Sequence, residues 1–433
     1  MGAGPGSYCR GEARQSNDCD ELLMTGPPAI IASPGLEDTA KTLRRKMGCD
    51  GSPMVDWGSF PSGDPNVRFR WQDVQGQHVI FLFDTVDRTR LFEQLSLLQQ
   101  LQGFALPDSD DAEKKWKTYA EGGRYAWGRA HRVTVVIPWY RPCQMERTSR
   151  WEVQGEGVWT NSVPEGRWLD VPTARSLAAL LAAEAPAPPG AGPAIALDSR
   201  PLVPLWRPPV TLFFVELHEE DPVRSAISIP RISIRTERFV PFFLDGFKDR
   251  SLYPGAENLF VLFPDHGAYD RYKSSVEARL ELAEDHILYI NKTRVGSAIK
   301  QEQKLHYQLP SGSSGEKTSF QKGNHVLIID DFTNSGSTLF GAVSLVRSLL
   351  RSDGKAVSEQ EQMDGLPVSI FVSHLVAAYD ADTVSKIRSK LAALGATCRL
   401  FTTDSIPLTT KLLADEPQAE VLPLADFFME YLR

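Results

Sequence analysis

The sequence predicts an α/β protein built as two tandem, mainly parallel sheets, each flanked by helices. Three observations carry this. Short apolar runs rich in β-branched and aromatic residues recur without polar alternation, as in strands buried on both faces. Helix-length amphipathic segments separate them, the pattern of βαβ units in a doubly wound sheet. The scheme also occurs twice, once on each side of about residue 236.

In the first half, Ala29-Ile-Ile-Ala-Ser reads as a strand and Leu36 to Met47 as a helix. Val79-Ile-Phe-Leu-Phe and Val133-Thr-Val-Val-Ile are two more buried strands, with the amphipathic helix Leu91 to Leu101 between them. Thr211-Leu-Phe-Phe-Val-Glu-Leu-His218 is a fourth. The second half repeats the plan, with strands at Asn258 to Phe263, His286 to Ile290, His325 to Ile329 and Val368 to Val372. The expected organisation is a Gly/Ser/Asp-rich disordered tail over 1–28, an N-terminal domain over 29–235 and a C-terminal domain over 236–433. Three segments read as exposed insertions: charged 106–132, Ala/Pro-rich 182–209 and polar, acidic 352–365.

Composition narrows the class. A chain of 433 residues has room for two domains and an ample core. A net charge of −8 leaves no basic footprint for nucleic acid. Five scattered cysteines form neither a CxxC pair nor a disulfide framework, which suits a reducing compartment. No run approaches the roughly 18 apolar residues of a membrane span. Glu12, Asp18, Asp20 and Glu21 are wrong for an acid-poor transit peptide, so a cytoplasmic location is expected.

The most informative stretch is Val326-Leu-Ile-Ile-Asp-Asp-Phe-Thr-Asn-Ser-Gly-Ser-Thr338. A buried strand ends at Asp330 and Asp331, a polar loop with Gly336 follows, and a helix begins at Leu339. Ligands in open α/β sheets bind at the carboxyl ends of strands. Backbone N–H groups of Ser335, Gly336, Ser337 and Thr338 would point at an anion at the helix N-terminus. Paired carboxylates upstream can grip sugar hydroxyls or a hydrated Mg2+ ion. Together these make a site for a phosphorylated sugar; the alternative is a plain βα turn with Ser/Thr capping.

Asp-Asp-x-x-x-Ser-Gly-x-Thr after an apolar strand resembles the phosphoribosyl-diphosphate motif of type I phosphoribosyltransferase folds. Asn258-Leu-Phe-Val-Leu-Phe-Pro-Asp-His-Gly-Ala-Tyr-Asp-Arg271 is similar to the strand and loop of ribose-phosphate diphosphokinases, and Ile290-Asn-Lys-Thr-Arg294 to the start of their catalytic flexible loop. Phe371-Val-Ser-His-Leu, Thr402-Thr-Asp-Ser-Ile-Pro407, and Phe60-Pro-Ser-Gly-Asp-Pro-Asn-Val with Val74-Gln-Gly-Gln-His-Val79 resemble further landmarks in the family's order. Gly-Gln-His-Val-Ile-Phe-Leu, Leu91-Phe-Glu-Gln-Leu-Ser and Pro-Asp-His-Gly-Ala-Tyr lean toward its divergent plant-type branch. The resemblance implies two tandem phosphoribosyltransferase-like (type I) domains, ATP and ribose 5-phosphate as substrates, Mg2+ as cofactor and a dimer-based homo-oligomer.

It also implies roles. Asp330, Asp331 and Asn334 would lie near the ribose hydroxyls, with Ser335, Gly336, Ser337 and Thr338 holding the 5-phosphate. His218 and Asp265 would contact the metal. Lys292 and Arg294, two apart on a strand, would aim together at the transferring group; the stretch beyond them to Gly323 would form a mobile lid. Phe60, Ser62, Asp64 and Arg147 would bind ATP. Three departures matter: Glu216 stands where the family has Asp, Asn334 where better-known members have Asp, and Gln144-Met-Glu-Arg147 where they have Arg-Gln-Asp. Asn334 cannot serve as a base. Ser337 replaces a common Gly and is tolerated if its φ is negative. The rival readings are a catalytically weak regulatory paralogue and a phosphoribosyltransferase. A dinucleotide-dependent redox role lacks its G-x-G-x-x-G.

Overall fold

The computed structural model describes residues 27–49, 55–105, 127–143, 151–154, 158–161, 171–183, 207–227, 229–295, 298–309, 312–352 and 355–432. The first sheet has five strands, all parallel and in sequential order: β1 Ala29–Ala32, β2 His78–Leu82, β3 Arg132–Ile137, β4 Val210–Val215 and β5 Ile232–Glu237. Four of these are the apolar runs read from the sequence. The fifth, Ile-Ser-Ile-Arg-Thr-Glu, alternates because it is an edge strand with one wet face. Helices α1 (Glu37–Met47), α2 (Leu91–Leu101) and α3 (Thr173–Leu181) flank this sheet.

The second sheet has eight strands: β6 Leu259–Phe263, β7 Ile287–Tyr289, β8 Leu305–Gln308, β9 Ser314–Lys317, β10 His325–Thr333, β11 Val368–Leu375, β12 Cys398–Thr403 and β13 Ala419–Leu422. Their spatial order is β9-β8-β7-β6-β10-β11-β12-β13. Six are parallel; β8 and β9 are antiparallel additions at one edge. Strand order reverses between β6 and β10, so a topological switch point lies there, with Asp265 just past one strand and Asp330–Asp331 near the end of the other. The accompanying helices are α4 Phe239–Lys248, α5 His266–Leu280, α6 Ser337–Ser348, α7 Ala381–Ala393 and α8 Leu424–Tyr431.

The two sheets share one core. Ile30, Ile80 and Phe213 of the first belong to the same buried cluster as Phe263, Phe371 and Phe401 of the second, with Phe239, Phe243 and Phe427 between them. Phe243 stacks on Phe371 with centroids 4.0 Å apart. Helix α8 lies on α1, where Lys46 pairs with Asp426 at 2.5 Å. Thr39 of α1 also donates to Asp404, at 3.2 Å, and Asp404 accepts from the Leu424 N–H at 2.7 Å. These contacts fix α1 of the first sheet against α8 and the turn after β12 of the second.

Two expectations are corrected. The acidic segment 352–365, read as a loop, contains the helix Glu359–Gly365, opened by a capping box in which Ser358 and Glu361 satisfy each other's backbone N–H. The stretch 295–323, read as a mobile lid, is strand-rich: Leu305 and Phe320 are buried, and β8 is hydrogen-bonded to β7. Apolar anchors at those two positions outweigh the Gly/Ser/Lys composition around them. The tail 1–26 and the bulk of the other two insertions lie outside the described residues.

Candidate functional site

Strand β10 continues past its apolar run through Asp330 and Asp331 to Thr333. The loop then turns on Gly336, the N-cap of α6, at φ 72°. A β-carbon there would come within 2.5 Å of the Phe340 ring, so glycine is required twice over, by conformation and by space. Ser337 opens the helix and is not among the residues with positive φ, as its tolerance demands. The Ser335 and Ser337 hydroxyls are 3.0 Å apart, and both side chains are exposed at the helix N-terminus, where an anion is favoured.

Asp331 is buried, and its Oδ2 is the meeting point of two cationic or polar groups. His218 Nδ1 stands 2.7 Å away, and the guanidinium of Arg271 on α5 forms an ion pair with the same oxygen. Burial would raise the Asp331 carboxyl; the His218 hydrogen bond and the Arg271 charge outweigh it and hold it below the usual carboxylate range. The short contact to a carboxylate places the proton of a neutral His218 on Nδ1 and the lone pair on Nε2. Arg271 also donates to the His218 carbonyl at 3.2 Å, so the guanidinium ties the end of the first sheet to the second.

Glu216, two residues before His218, is fully buried and sits in the left-handed region at φ 50°. Its carboxylate accepts from Tyr272 Oη at 2.8 Å, the Phe239 N–H at 2.8 Å and Ser373 Oγ at 3.1 Å. Burial pushes this carboxyl up, against those hydrogen bonds. Glu216 is therefore a knot joining β4, α4, α5 and β11, and the extra methylene over Asp gives it the reach. Asp265 is the N-cap of α5 and accepts from the Ala268 N–H at 2.9 Å. Among the described residues no three His, Cys, Asp or Glu side chains cluster to hold a metal. His218, Asp265 and Asp330 therefore do not form a ready-made three-ligand set; what suits Mg2+ is a single carboxylate such as Asp265 or Asp330, since the ion takes one or two carboxylates and completes its shell with substrate phosphates and water.

Lys292 and Arg294 lie on the strand Lys292–Val295, paired with Ala298–Gln301 in a separate two-stranded hairpin. Phe60, Ser62 and Asp64 sit at the tip of another hairpin, Val55–Ser59 with Pro65–Phe69. Phe60 is 52% exposed, and Asp64 accepts from Ser62 Oγ at 2.8 Å. Among the described residues the hydrogen bonds of this tip stay within the hairpin, and none reaches the Asp331 cluster. Arg147 lies outside the described residues.

Several residues escaped the sequence reading. Ala377, Ala378 and Tyr379, just past β11, all have positive φ (45°, 52° and 57°), which is costly for non-glycine residues. Asn334 Oδ1 accepts the Ala378 N–H at 2.6 Å and Trp139 Nε1 donates to Tyr379 Oη at 2.9 Å, both holding this turn. The Trp139 ring also lies 4.5 Å from that of His374, which is buried, bonded to Ser405 Oγ at 2.8 Å and pushed down to about 4 by burial. Arg271 was visible as the last residue of a motif, without a role. The left-handed turn had no signal, because nothing in Ala-Ala-Tyr demands it.

The fold and loop thus define a two-sheet α/β protein of the phosphoribosyltransferase-like class. No family model matches the chain. It is 24% identical over 384 residues to ribose-phosphate pyrophosphokinase 4 of Oryza sativa subsp. japonica, covering 88% of this chain and 87% of that one. It is also 24% identical over 402 residues to the chloroplastic ribose-phosphate pyrophosphokinase 3 of Arabidopsis thaliana, covering 92% and 73%. Among solved structures, the phosphoribosylpyrophosphate synthetase of Mycobacterium smegmatis has the same fold, with a TM-score of 0.58 at 17% identity over 94% of this chain and 98% of that one. The chain resembles ribose-phosphate diphosphokinases over most of its length, on the plant side of the family. No described helix is long and apolar enough to cross a membrane.

Proposed function

We propose that this chain is a Mg2+-dependent ribose-phosphate diphosphokinase, transferring the diphosphoryl group of ATP to the 1-hydroxyl of ribose 5-phosphate. The observation that carries the reading is the switch-point site: a strand ending in Asp330–Asp331, the Gly336 turn into α6, and His218 delivered from the first sheet onto Asp331. In this reading the N-terminus of α6 and the Ser335, Ser337 and Thr338 hydroxyls hold the 5-phosphate. Asp330 and Asp331 orient the ribose hydroxyls. Asn334 positions the neighbouring turn rather than acting as a base. Such transfer needs positioning and fixed positive charge more than covalent help. Lys292 and Arg294 supply that charge at the transferring group, and Arg271 keeps Asp331 ionised.

Mg2+ would be bound chiefly through substrate phosphates and water, with His218 and Asp265 as the protein groups nearest in role, and would supply charge neutralisation across the phosphates when bound. A homo-oligomer in which the exposed Phe60 hairpin reaches a neighbour's nucleotide, and a cytoplasmic location, belong to the same proposal.

The test is AMP formation from ATP and ribose 5-phosphate with Mg2+, with and without inorganic phosphate. AMP that appears only when the sugar phosphate is present supports diphosphoryl transfer. Its absence from a folded protein under both conditions refutes the reading and favours a regulatory paralogue.

A further inference from the structure

Trp139 stands two residues past β3, at the carboxyl end of the first sheet, yet its buried ring lies among residues of the second. The ring centroid is 4.5 Å from that of His374 and 5.7 Å from that of Phe332. With Val376 and Ile406 it belongs to a small apolar cluster distinct from the three larger cores.

Two routes lead from this ring to the sugar loop. One is Phe332, the residue after Asp331 on β10, whose ring also meets that of His218 edge-on at 5.7 Å. The other is the indole Nε1–H, which donates to Tyr379 Oη at 2.9 Å. Tyr379 closes the left-handed turn whose Ala378 N–H is accepted by Asn334. Three consecutive non-glycine residues in that region persist only where surrounding contacts hold them.

The first-sheet end of this chain of contacts is itself fixed. Thr85 Oγ1, after β2, donates to the Trp139 carbonyl at 2.5 Å and accepts from the Arg141 N–H at 3.0 Å. The Arg141 guanidinium donates to the Val86 carbonyl at 2.6 Å and lies 3.9 Å from the centroid of the Tyr379 ring. Tyr379 is thus gripped at its edge by Trp139 and on its face by Arg141. A rigid first-sheet terminus and the sugar loop are the two ends of one contiguous set of contacts.

We propose that Trp139 and Tyr379 are positioning residues for the phosphorylated sugar. Their Nε1–H···Oη bond sets where the left-handed turn stands, and through Asn334 where the N-terminus of α6 stands relative to the first sheet. The inference rests on the proposed sugar-phosphate loop and deepens it by naming what orients that loop.

The test uses the full chain and variants that keep both rings. Trp139→Phe leaves an aromatic ring against His374 and Phe332 and removes the donor. Tyr379→Phe leaves a ring under Arg141 and removes the acceptor. In the free protein, amides over 334–338 and 376–380 should exchange faster in both variants. The KM for ribose 5-phosphate should rise about 3- to 10-fold in each with kcat within about twofold, the loss expected for one hydrogen bond. Both changes break the same bond, so the double variant should be no worse than the weaker single. Ile406→Val thins the same cluster by one methylene without touching the bond and should leave that KM unchanged. Wild-type exchange and KM in both single variants overturn the proposal. Effects that add in the double variant, or a like rise in Ile406→Val, also overturn it, because they mark general loosening. A wild type that forms no AMP refutes the diphosphokinase reading instead, and hydrogen exchange in the free variants then decides the tether.

Discussion

The side-chain oxygen of Asn334 accepts the backbone N–H of Ala378 at 2.6 Å, joining the sugar-phosphate loop to the left-handed turn after β11. A strained turn persists only when its surroundings over-determine it. Asn334→Ala removes this acceptor, and the expected cost is about 1–2 kcal/mol, localised to the turn. Faster hydrogen exchange over residues 376–380, with a raised KM for ribose 5-phosphate, would confirm it. Asn334→Asp keeps an acceptor and should leave exchange unchanged. Equal exchange in the Ala variant would show that the turn holds itself.

Asp331 owes its ionised state to Arg271 and His218. Removing one partner of a buried ion pair strands the other, at about 3–5 kcal/mol. Arg271→Ala should therefore lower the melting temperature by several degrees at neutral pH. The sign with pH is set by the depressed carboxyl: its stabilisation is complete above the ordinary carboxylate range and is lost as pH falls through its folded value. Below about pH 4 the gap between wild type and Arg271→Ala should narrow, and parallel melting curves across pH 3–7 would remove the assignment.

Lys292 stands on its own hairpin, apart from both large sheets. A point charge needed only at the transferring group should contribute little to folding. Lys292→Ala is expected to cut turnover by roughly 10²–10³-fold, with melting and ribose 5-phosphate affinity unchanged. Wild-type turnover in that variant would withdraw the catalytic role.

What could be read from the residues, and what could not, follows a physical division. Strands such as Val326 to Ile329 and Leu259 to Phe263 are apolar on both faces, so burial is written into composition. The Gly336 turn was legible because a positive φ beside Phe340 leaves no other residue. The edge strands β8 and β9 were hidden because their half-wet faces look like loop. The Asp331–His218–Arg271 cluster joins residues 113 and 60 positions apart, and only the packing of the two sheets brings them together. Glu216 shows another limit: the sequence marked it only as a departure from the family's Asp, whereas its three hydrogen bonds, all to residues distant in the chain, give it a structural duty.

Acid should also act through buried imidazoles far from the sugar loop. His325 is 5% exposed, shares a hydrogen bond of 2.9 Å with Ser369 and is pushed down to about 4 by burial. Unfolded, it titrates near 6.5, so between these values the unfolded chain binds the extra proton. Stability is thus intact above about pH 6.5, falls as pH drops toward 4 and levels below it, and this one residue contributes roughly 2 kcal/mol of loss by pH 5. His325→Gln keeps a hydrogen-bonding group at Ser369 without a titrating ring. Urea midpoints at pH 7 and pH 5 should therefore differ less in the variant than in the wild type. An equal difference in both would mean that His325 is already protonated in the folded protein, or is not buried as described.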